Sequence, residues 1–219
     1  MNALMIRPIL PRIPRIEEVP SADTAMTILS FTMCLLLAGL TAFLVSRYAA
    51  EHFKGNKKKT ALAFIGIAVT VGALLLCFFG CAVGAVKGIL FCLILTYSSY
   101  SDIKTRESDD YLAVMVALTA FIGREVSDIP GMLLSAVLAT IPMLLVLIIC
   151  KGKAIGGADM KMIAASAFLL GLCRGIVGLI AGLTIGIIAN LIIQSKKDKS
   201  EGFPMIPYLA VGFMAAYFI

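Results

Sequence analysis

Two aspartates differ from the other acidic residues of this 219-residue chain because each adjoins a long apolar run. Asp102 directly follows the stretch GILFCLILTYSSYS, and Asp159 lies between GKAIGGA and the apolar run MKMIAASAFLL. Carboxylates close to membrane depth are energetically costly and are therefore functional candidates. Most of the other carboxylates lie in the N-terminal stretch or between apolar runs, where solvation is expected.

A pair of carboxylates has a well-defined chemistry when the two groups lie within a few ångströms of each other. Both cannot ionise cheaply, so one keeps its proton and the other does not. The ionised group can take a proton from water while the protonated group donates to a carbonyl oxygen, which is general acid and base catalysis of peptide hydrolysis. Such a mechanism requires no metal and no cofactor.

The elements that must position these aspartates are membrane spans. Apolar residues make up 60% of the chain, charged residues 15%, and the mean hydropathy is +1.00, whereas soluble domains have about 45–50% and about 25%. This composition predicts an all-α, polytopic transmembrane helix bundle of about eight spans with the lipid bilayer as its solvent. The predicted spans are 25–46, 61–80, 84–101, 111–123, 130–150, 160–172, 175–194 and 205–219.

The basic residues predict the orientation of these spans. Placing the loops after spans 1, 3, 5 and 7 in the cytoplasm puts 13 of the 19 basic residues there, and only six on the other side. Those six are Arg7, Arg12, Arg15, Lys87, Arg124 and Arg174. The positive-inside rule favours this topology, with a plasma-membrane location and both aspartates at cytoplasmic helix ends. Basic loops beside anionic lipid headgroups explain the net charge of +6 without a nucleic-acid partner.

The residues around each aspartate have ordinary structural roles as well. Asp159 in GGADMK is also typical of a helix start, where a carboxylate favours the helix dipole. Gly156, Gly157 and Ala158 are small enough for a sharp turn or a close approach by a neighbouring helix or a substrate. In SDIKTRESDDYL, Asp109 and Asp110 are predicted to cap span 4, and Lys104 and Arg106 to form a solvated loop.

The two aspartate motifs together resemble the type IV prepilin peptidases and the archaeal preflagellin peptidases, which are membrane aspartic proteases of the GxGD type. Asp102 in SDIKTRESDDY matches the family's first catalytic aspartate, and Asp159 in GGADMK matches the second, with Lys161 as the basic residue of the motif. The stretch FPMIPYLAVG at 203–212 resembles the family's proline-rich entry to the last span. The resemblance extends over about 84–219.

The resemblance implies a membrane aspartic endopeptidase that cuts the basic leader from prepilin-like substrates at the cytoplasmic face, with Asp102 and Asp159 as catalytic residues. Ala158 departs from the motif, since the family has a glycine there; the position requires either a positive φ or only a small side chain. The segment between spans 1 and 2, SRYAAEHFKGNKKKT, also lacks the cysteine pairs that larger members carry. Peptidase activity without N-methylation is therefore expected.

The resemblance also suggests a division of the chain. Residues 1–24 contain four prolines and are predicted to be a surface extension. Residues 25–83 are expected to form two spans joined by a short basic cytoplasmic loop, and 84–219 a six-span peptidase core. The oligomeric state is not predicted.

The six cysteines lie within or beside apolar runs and are predicted to be small buried hydrophobes rather than disulfides. Cys77 and Cys81 are one helical turn apart, but only His52 and no second cysteine pair could complete a tetrahedral metal site. No metal site is predicted.

Two other function classes are compatible with the sequence. A small proton- or cation-coupled transporter would also place acidic residues inside a bundle. The positions of both aspartates at helix ends and the lack of an internal repeat argue against it. A non-catalytic scaffold is the third possibility, and it would leave both aspartates dispensable.

Overall fold

A computed structural model describes residues 22–106, 108–149, 156–194 and 203–219. Eight α-helices occur in these ranges, and no strand is present in them. The helices are α1 Ala22–His52, α2 Lys57–Phe79, α3 Val83–Thr105, α4 Asp110–Ala120, α5 Ile129–Ile149, α6 Gly157–Leu170, α7 Leu172–Gln194 and α8 Ile206–Tyr217, with a 3-10 turn at Val126–Asp128. The predicted all-α helix bundle is confirmed, with one helix for each predicted span.

The helices differ in length, which separates full membrane spans from shorter elements. Five are long and apolar enough to cross a bilayer: Met26–His52 within α1, then α2, α3, the stretch Val126–Ile149 containing α5, and Leu172–Ile192 within α7. Helices α4, α6 and α8 have 11, 14 and 12 residues. At 1.5 Å per residue they are shorter than the ~30 Å hydrocarbon layer, so they rely on the longer helices around them.

Most of the predicted N-terminal extension, 1–24, lies outside the described residues, and so does Cys150. Helix α1 begins at Ala22, inside the predicted extension. The described cysteines are all free thiols. The prediction that they are buried is wrong for Cys77, Cys81 and Cys173, which are exposed on the bundle surface; only Cys92 is buried. Thiols are apolar enough to face lipid, which removes the need to bury them.

Alternation of helix direction gives the bundle two ends. Helices α1, α3, α5 and α7 finish at the end where α2, α4, α6 and α8 begin. Because Asp102 lies in the last turn of α3, we call this the Asp102 end. Asp159 lies in the first turn of α6 and therefore belongs to the same end. The other is called the opposite end.

Helix α8 lies antiparallel to α3 and is attached to it at both ends. The backbone N–H of Ile206 donates to Asp102 Oδ2 at 3.0 Å. At the opposite end, the Tyr217 hydroxyl donates to the Gly84 carbonyl oxygen at 2.7 Å. Between these contacts, Leu209 and Phe213 of α8 are fully buried in the core. The short α8 is thus held in one register beside α3.

Glycines bring α7 and α8 into direct backbone contact. A Cβ on Gly212 would overlap the backbone of Gly182, and a Cβ on Gly178 would lie 2.7 Å from Phe213 Cδ1. Small residues at a helix interface allow this approach, which is the usual way helices associate in lipid. The position of α8, and of its first N–H groups, therefore depends on α7.

Candidate active site

Asp102 is positioned by the end of α3 and by the beginning of α8. It is only 6% exposed. Arg106 ends α3 in the left-handed conformation, with φ 59°, and its N–H donates to the Asp102 carbonyl oxygen at 3.0 Å. Helix α8 begins with Ile206 and Pro207, and the N–H groups of a first helical turn lack partners inside the helix. The Asp102 carboxylate accepts one of them, from Ile206.

Asp159 is held by its own helix. Its Oδ2 accepts a hydrogen bond from the Gly156 N–H at 3.3 Å, so the side chain reaches back to the residue before α6. The side chain is half-buried. The Asp159 carboxyl is thus oriented by the turn that the motif residues form, as a carboxylate in the first turn of a helix commonly is.

The structure brings the two predicted aspartates together. Asp159 lies outside the five helices that are long enough to span the membrane, and its pKa is raised to about 6. Burial is the larger cause of the rise, and the nearby Asp102 carboxylate is the second. Two carboxyls that interact in this way suit a dyad in which one group holds its proton to a higher pH than an ordinary aspartate does.

The motif residues around Asp159 differ from one another in their surroundings. A Cβ on Gly156 would lie 3.3 Å from Asp159 Oδ2, so this position must stay small for the hydrogen bond to form. Gly157 has open space around it, since a Cβ there would meet no described atom within 4 Å beyond its chain neighbours and its own helix. The expected close approach of a neighbouring helix is therefore absent at Gly157 among the described residues, and the space is available to another molecule.

Ala158 is a helical residue of α6 and has no positive φ; among the described non-glycine residues only Lys54 and Arg106 do. The structure therefore leaves smallness, and not a left-handed backbone, as the requirement at this position. Alanine suits the helix better than glycine because it loses less conformational entropy on folding.

Lys161 forms an ion pair with Asp110 of α4, with Nζ 2.6 Å from Oδ2. Both side chains are exposed, so the pair connects α6 to α4 at the surface. Asp109 occupies the position that precedes α4, as predicted, but its side chain makes no capping hydrogen bond. Lys104 is exposed, as predicted, but it belongs to the last turn of α3 and not to a loop. Its ammonium lies 5.9 Å from the centre of the Tyr100 ring.

The sequence marks the proline-rich stretch 203–212 as the entry to the last span, but it does not assign Ile206 a contact with the dyad. Ile206 is apolar and contributes only a backbone N–H, so no side-chain motif marks it. The signal available was Pro207, because proline in the first turn identifies a helix start with unpaired N–H groups. No three or more His, Cys, Asp or Glu side chains in the described ranges form a cluster able to hold a metal.

Residues 89–193 match the family model described as the type IV leader peptidase family. This segment is similar to the type IV leader peptidase family. The match includes both Asp102 and Asp159, and it is narrower than the predicted stretch 84–219 because α8 lies beyond it. No curated protein and no solved structure gave a significant match. The match supports a peptidase role and does not favour the transporter alternative.

Proposed function

We propose that this chain is a membrane-embedded aspartic endopeptidase that removes the basic leader from prepilin-like membrane proteins. One observation carries the proposal: Asp102 and Asp159, 57 positions apart by residue number, interact at one end of the bundle within the matched segment. A peptidase that uses this pair needs no further ionisable group in the reaction.

The surroundings of the two carboxyls suggest different roles. Asp102 accepts the Ile206 N–H at the first turn of α8, where the helix dipole favours a negative charge. Asp159, with a pKa of about 6, keeps its proton more readily. We assign Asp102 as the base that activates water and Asp159 as the acid that protonates the scissile carbonyl oxygen.

Hydrolysis then proceeds in two balanced steps. Asp102 takes a proton from water, the water oxygen bonds to the carbonyl carbon, and Asp159 gives its proton to the carbonyl oxygen. In the second step the C–N bond breaks, Asp102 passes its proton to the leaving nitrogen, and Asp159 recovers a proton from the tetrahedral intermediate. The products are a leader with a new carboxyl terminus and a membrane protein with a new amino terminus.

The distribution of basic residues supports a cytoplasmic active site. In the described ranges the Asp102 end carries eight basic residues, and the opposite end carries three. The eight are Arg47, Lys54, Lys57, Lys58, Lys59, Lys104, Arg106 and Lys161. The positive-inside rule assigns the richer end to the cytoplasm of a plasma membrane. A basic leader would remain there while the apolar helix of the substrate stays in the bilayer.

The catalytic unit that we propose includes α3 to α8, with α1 and α2 as an additional pair. Helix α8 lies outside the matched segment, yet it supplies the N–H that contacts Asp102. This contact is the reason for extending the core to the end of the chain.

The experiment is a cleavage assay with the full chain in lipid vesicles and a prepilin-like substrate that has a basic leader and an apolar helix. Mass spectrometry of the products should show one cut between leader and helix, in the presence of a strong chelator as well as without it. Uncut substrate would reject the endopeptidase, and activity lost on chelation and restored by zinc would indicate a metalloenzyme.

The orientation has its own test, which uses single cysteines in a Cys-free chain and an impermeant thiol reagent. Asn56→Cys lies between α1 and α2 at the Asp102 end, and Val126→Cys lies at the opposite end. Val126→Cys should react in intact cells, and Asn56→Cys only after the cytoplasm is opened. The reverse pattern would overturn the proposed orientation.

A further inference from the structure

Three basic side chains meet in one cavity at the opposite end of the bundle. Lys87 of α3, Arg124 of the α4–α5 connection and Arg174 of α7 all line a cavity of about 210 Å³. They are the only basic residues of the described ranges at this end. The basic residues that do not lie at the Asp102 end are therefore gathered in one place, although they come from three separate elements.

Lys87 is the most constrained of the three. It is only 7% exposed, and its Nζ donates to the Ala120 carbonyl oxygen at 2.8 Å, at the end of α4. An ammonium group has three donors, and this contact uses one of them. No carboxylate in the described part of the chain forms an ion pair with Lys87. A buried cation is costly unless an anion or further acceptors accompany it.

The carboxylates near this end do not neutralise the cavity. Asp128 lies 3.6 Å from Arg124 in a half-exposed ion pair, and Glu125 accepts a hydrogen bond from Ser127. Neither lines the cavity.

The described wall of the cavity holds three cationic side chains and no acidic one. Lys87 supplies a buried ammonium, and Arg124 and Arg174 supply guanidinium groups. Ammonium and guanidinium groups that converge without a carboxylate in the wall are suited to an oxyanion.

We propose that this cavity binds a phosphate-type anion, either the phosphodiester of an anionic lipid headgroup or free phosphate. Lys87 lies four residues inside the start of α3, about 6 Å from the helix end, which is a depth that a headgroup phosphate reaches. Arginine binds phosphate oxygens in pairs through its planar fork, and lysine binds them as a point charge. The site is separate from the aspartate pair and does not depend on the proposed catalytic function.

The test compares lipids and free phosphate as ligands of the full chain in detergent. Native mass spectrometry with added phosphatidylglycerol or phosphatidylcholine measures lipid retention, and thermal unfolding with inorganic phosphate measures the free anion. Arg174→Gln is the main variant because its side chain is exposed and Lys87→Met could prevent folding by removing the contact with α4. Arg47→Gln, at the Asp102 end, is the matched control for charge.

We expect wild type and Arg47→Gln to retain phosphatidylglycerol over phosphatidylcholine, and Arg174→Gln to bind it roughly tenfold more weakly, as expected for one lost charge-assisted contact. A melting point raised by inorganic phosphate in wild type but not in Arg174→Gln, without lipid preference, would support the site with free phosphate as its ligand. Equal retention of both lipids with no phosphate effect, or the same binding by Arg174→Gln as by wild type, would overturn the proposal.

Discussion

The Ile206 N–H donates to Asp102 Oδ2 at 3.0 Å across 104 positions of sequence. One carboxyl of the proposed dyad is therefore fixed by the first turn of the last helix, and that helix is fixed in turn by its glycine contacts with α7. The geometry of the proposed dyad therefore depends on packing that is remote from both aspartates. A displacement of about an ångström at a catalytic group can cost about a hundredfold in rate.

Gly212→Ala should therefore reduce both stability and cleavage. The added Cβ overlaps the Gly182 backbone, and overpacking of this kind costs about 1–3 kcal/mol. Gly186→Ala is the matched control on α7, since its Cβ would meet Tyr208 at an ordinary 3.6 Å. Melting curves followed by circular dichroism and cleavage rates measure both effects. If Gly212→Ala melts and cleaves like Gly186→Ala, the backbone contact does not position α8.

The pH dependence of stability should report on Asp159. Its pKa is about 6 in the folded chain and near 3.8 ordinarily, so the folded state holds the proton to higher pH. The stabilisation that the protonated Asp159 carboxyl contributes is therefore complete below about pH 4 and is lost as the pH rises through about 6. Asp159→Asn should melt higher than wild type at pH 8, with the difference vanishing near pH 4.

Asp109→Asn, at the exposed start of α4, is the control for that comparison and should follow the wild-type pH dependence. The melting temperatures of all three proteins between pH 4 and pH 8 provide the measurement. A wild-type curve parallel to that of Asp159→Asn over the whole range would contradict the raised pKa and the interaction with Asp102.

Small residues beside Asp159 should separate stability from catalysis. The added Cβ of Gly157→Ala meets no neighbouring helix among the described residues and lies in the first turn of α6, so the helix should be as stable as wild type or up to about 1 kcal/mol more stable. If the substrate backbone uses the open space there, the same variant should lose cleavage. A Gly157→Ala enzyme with full activity would show that the substrate approaches elsewhere.

Substitutions of Ala158 should also affect stability and cleavage differently. Because its backbone is helical, Ala158→Gly should stay active and be destabilised by about 1 kcal/mol rather than stabilised. Ala158→Leu should insert normally but lose nearly all cleavage, since a large side chain displaces the neighbouring Asp159 carboxyl. Cleavage rates and melting temperatures of the two variants measure these effects. An active Ala158→Leu enzyme would contradict close packing beside Asp159.

The fold could be predicted from the sequence because apolar runs bounded by charge define helices in a membrane protein. The meeting of Asp102 and Asp159 could be expected as well, because alternating helix directions place both at one end. The contact with Ile206 could not, since a backbone N–H has no side-chain signature. The exposure of Cys77 and the burial of Lys87 were not predicted either, because hydropathy does not tell which helix face meets lipid.

Replacement of the dyad is the most direct measurement of the central claim. Asp102→Asn and Asp159→Asn should each abolish cleavage of a prepilin-like substrate in vesicles while expression and membrane insertion stay nearly unchanged, because neither amide can exchange the proton that hydrolysis requires. Asp109→Asn, an exposed carboxyl at the same end, should cleave almost as wild type does. Turnover that persists in either Asp102→Asn or Asp159→Asn would contradict the account.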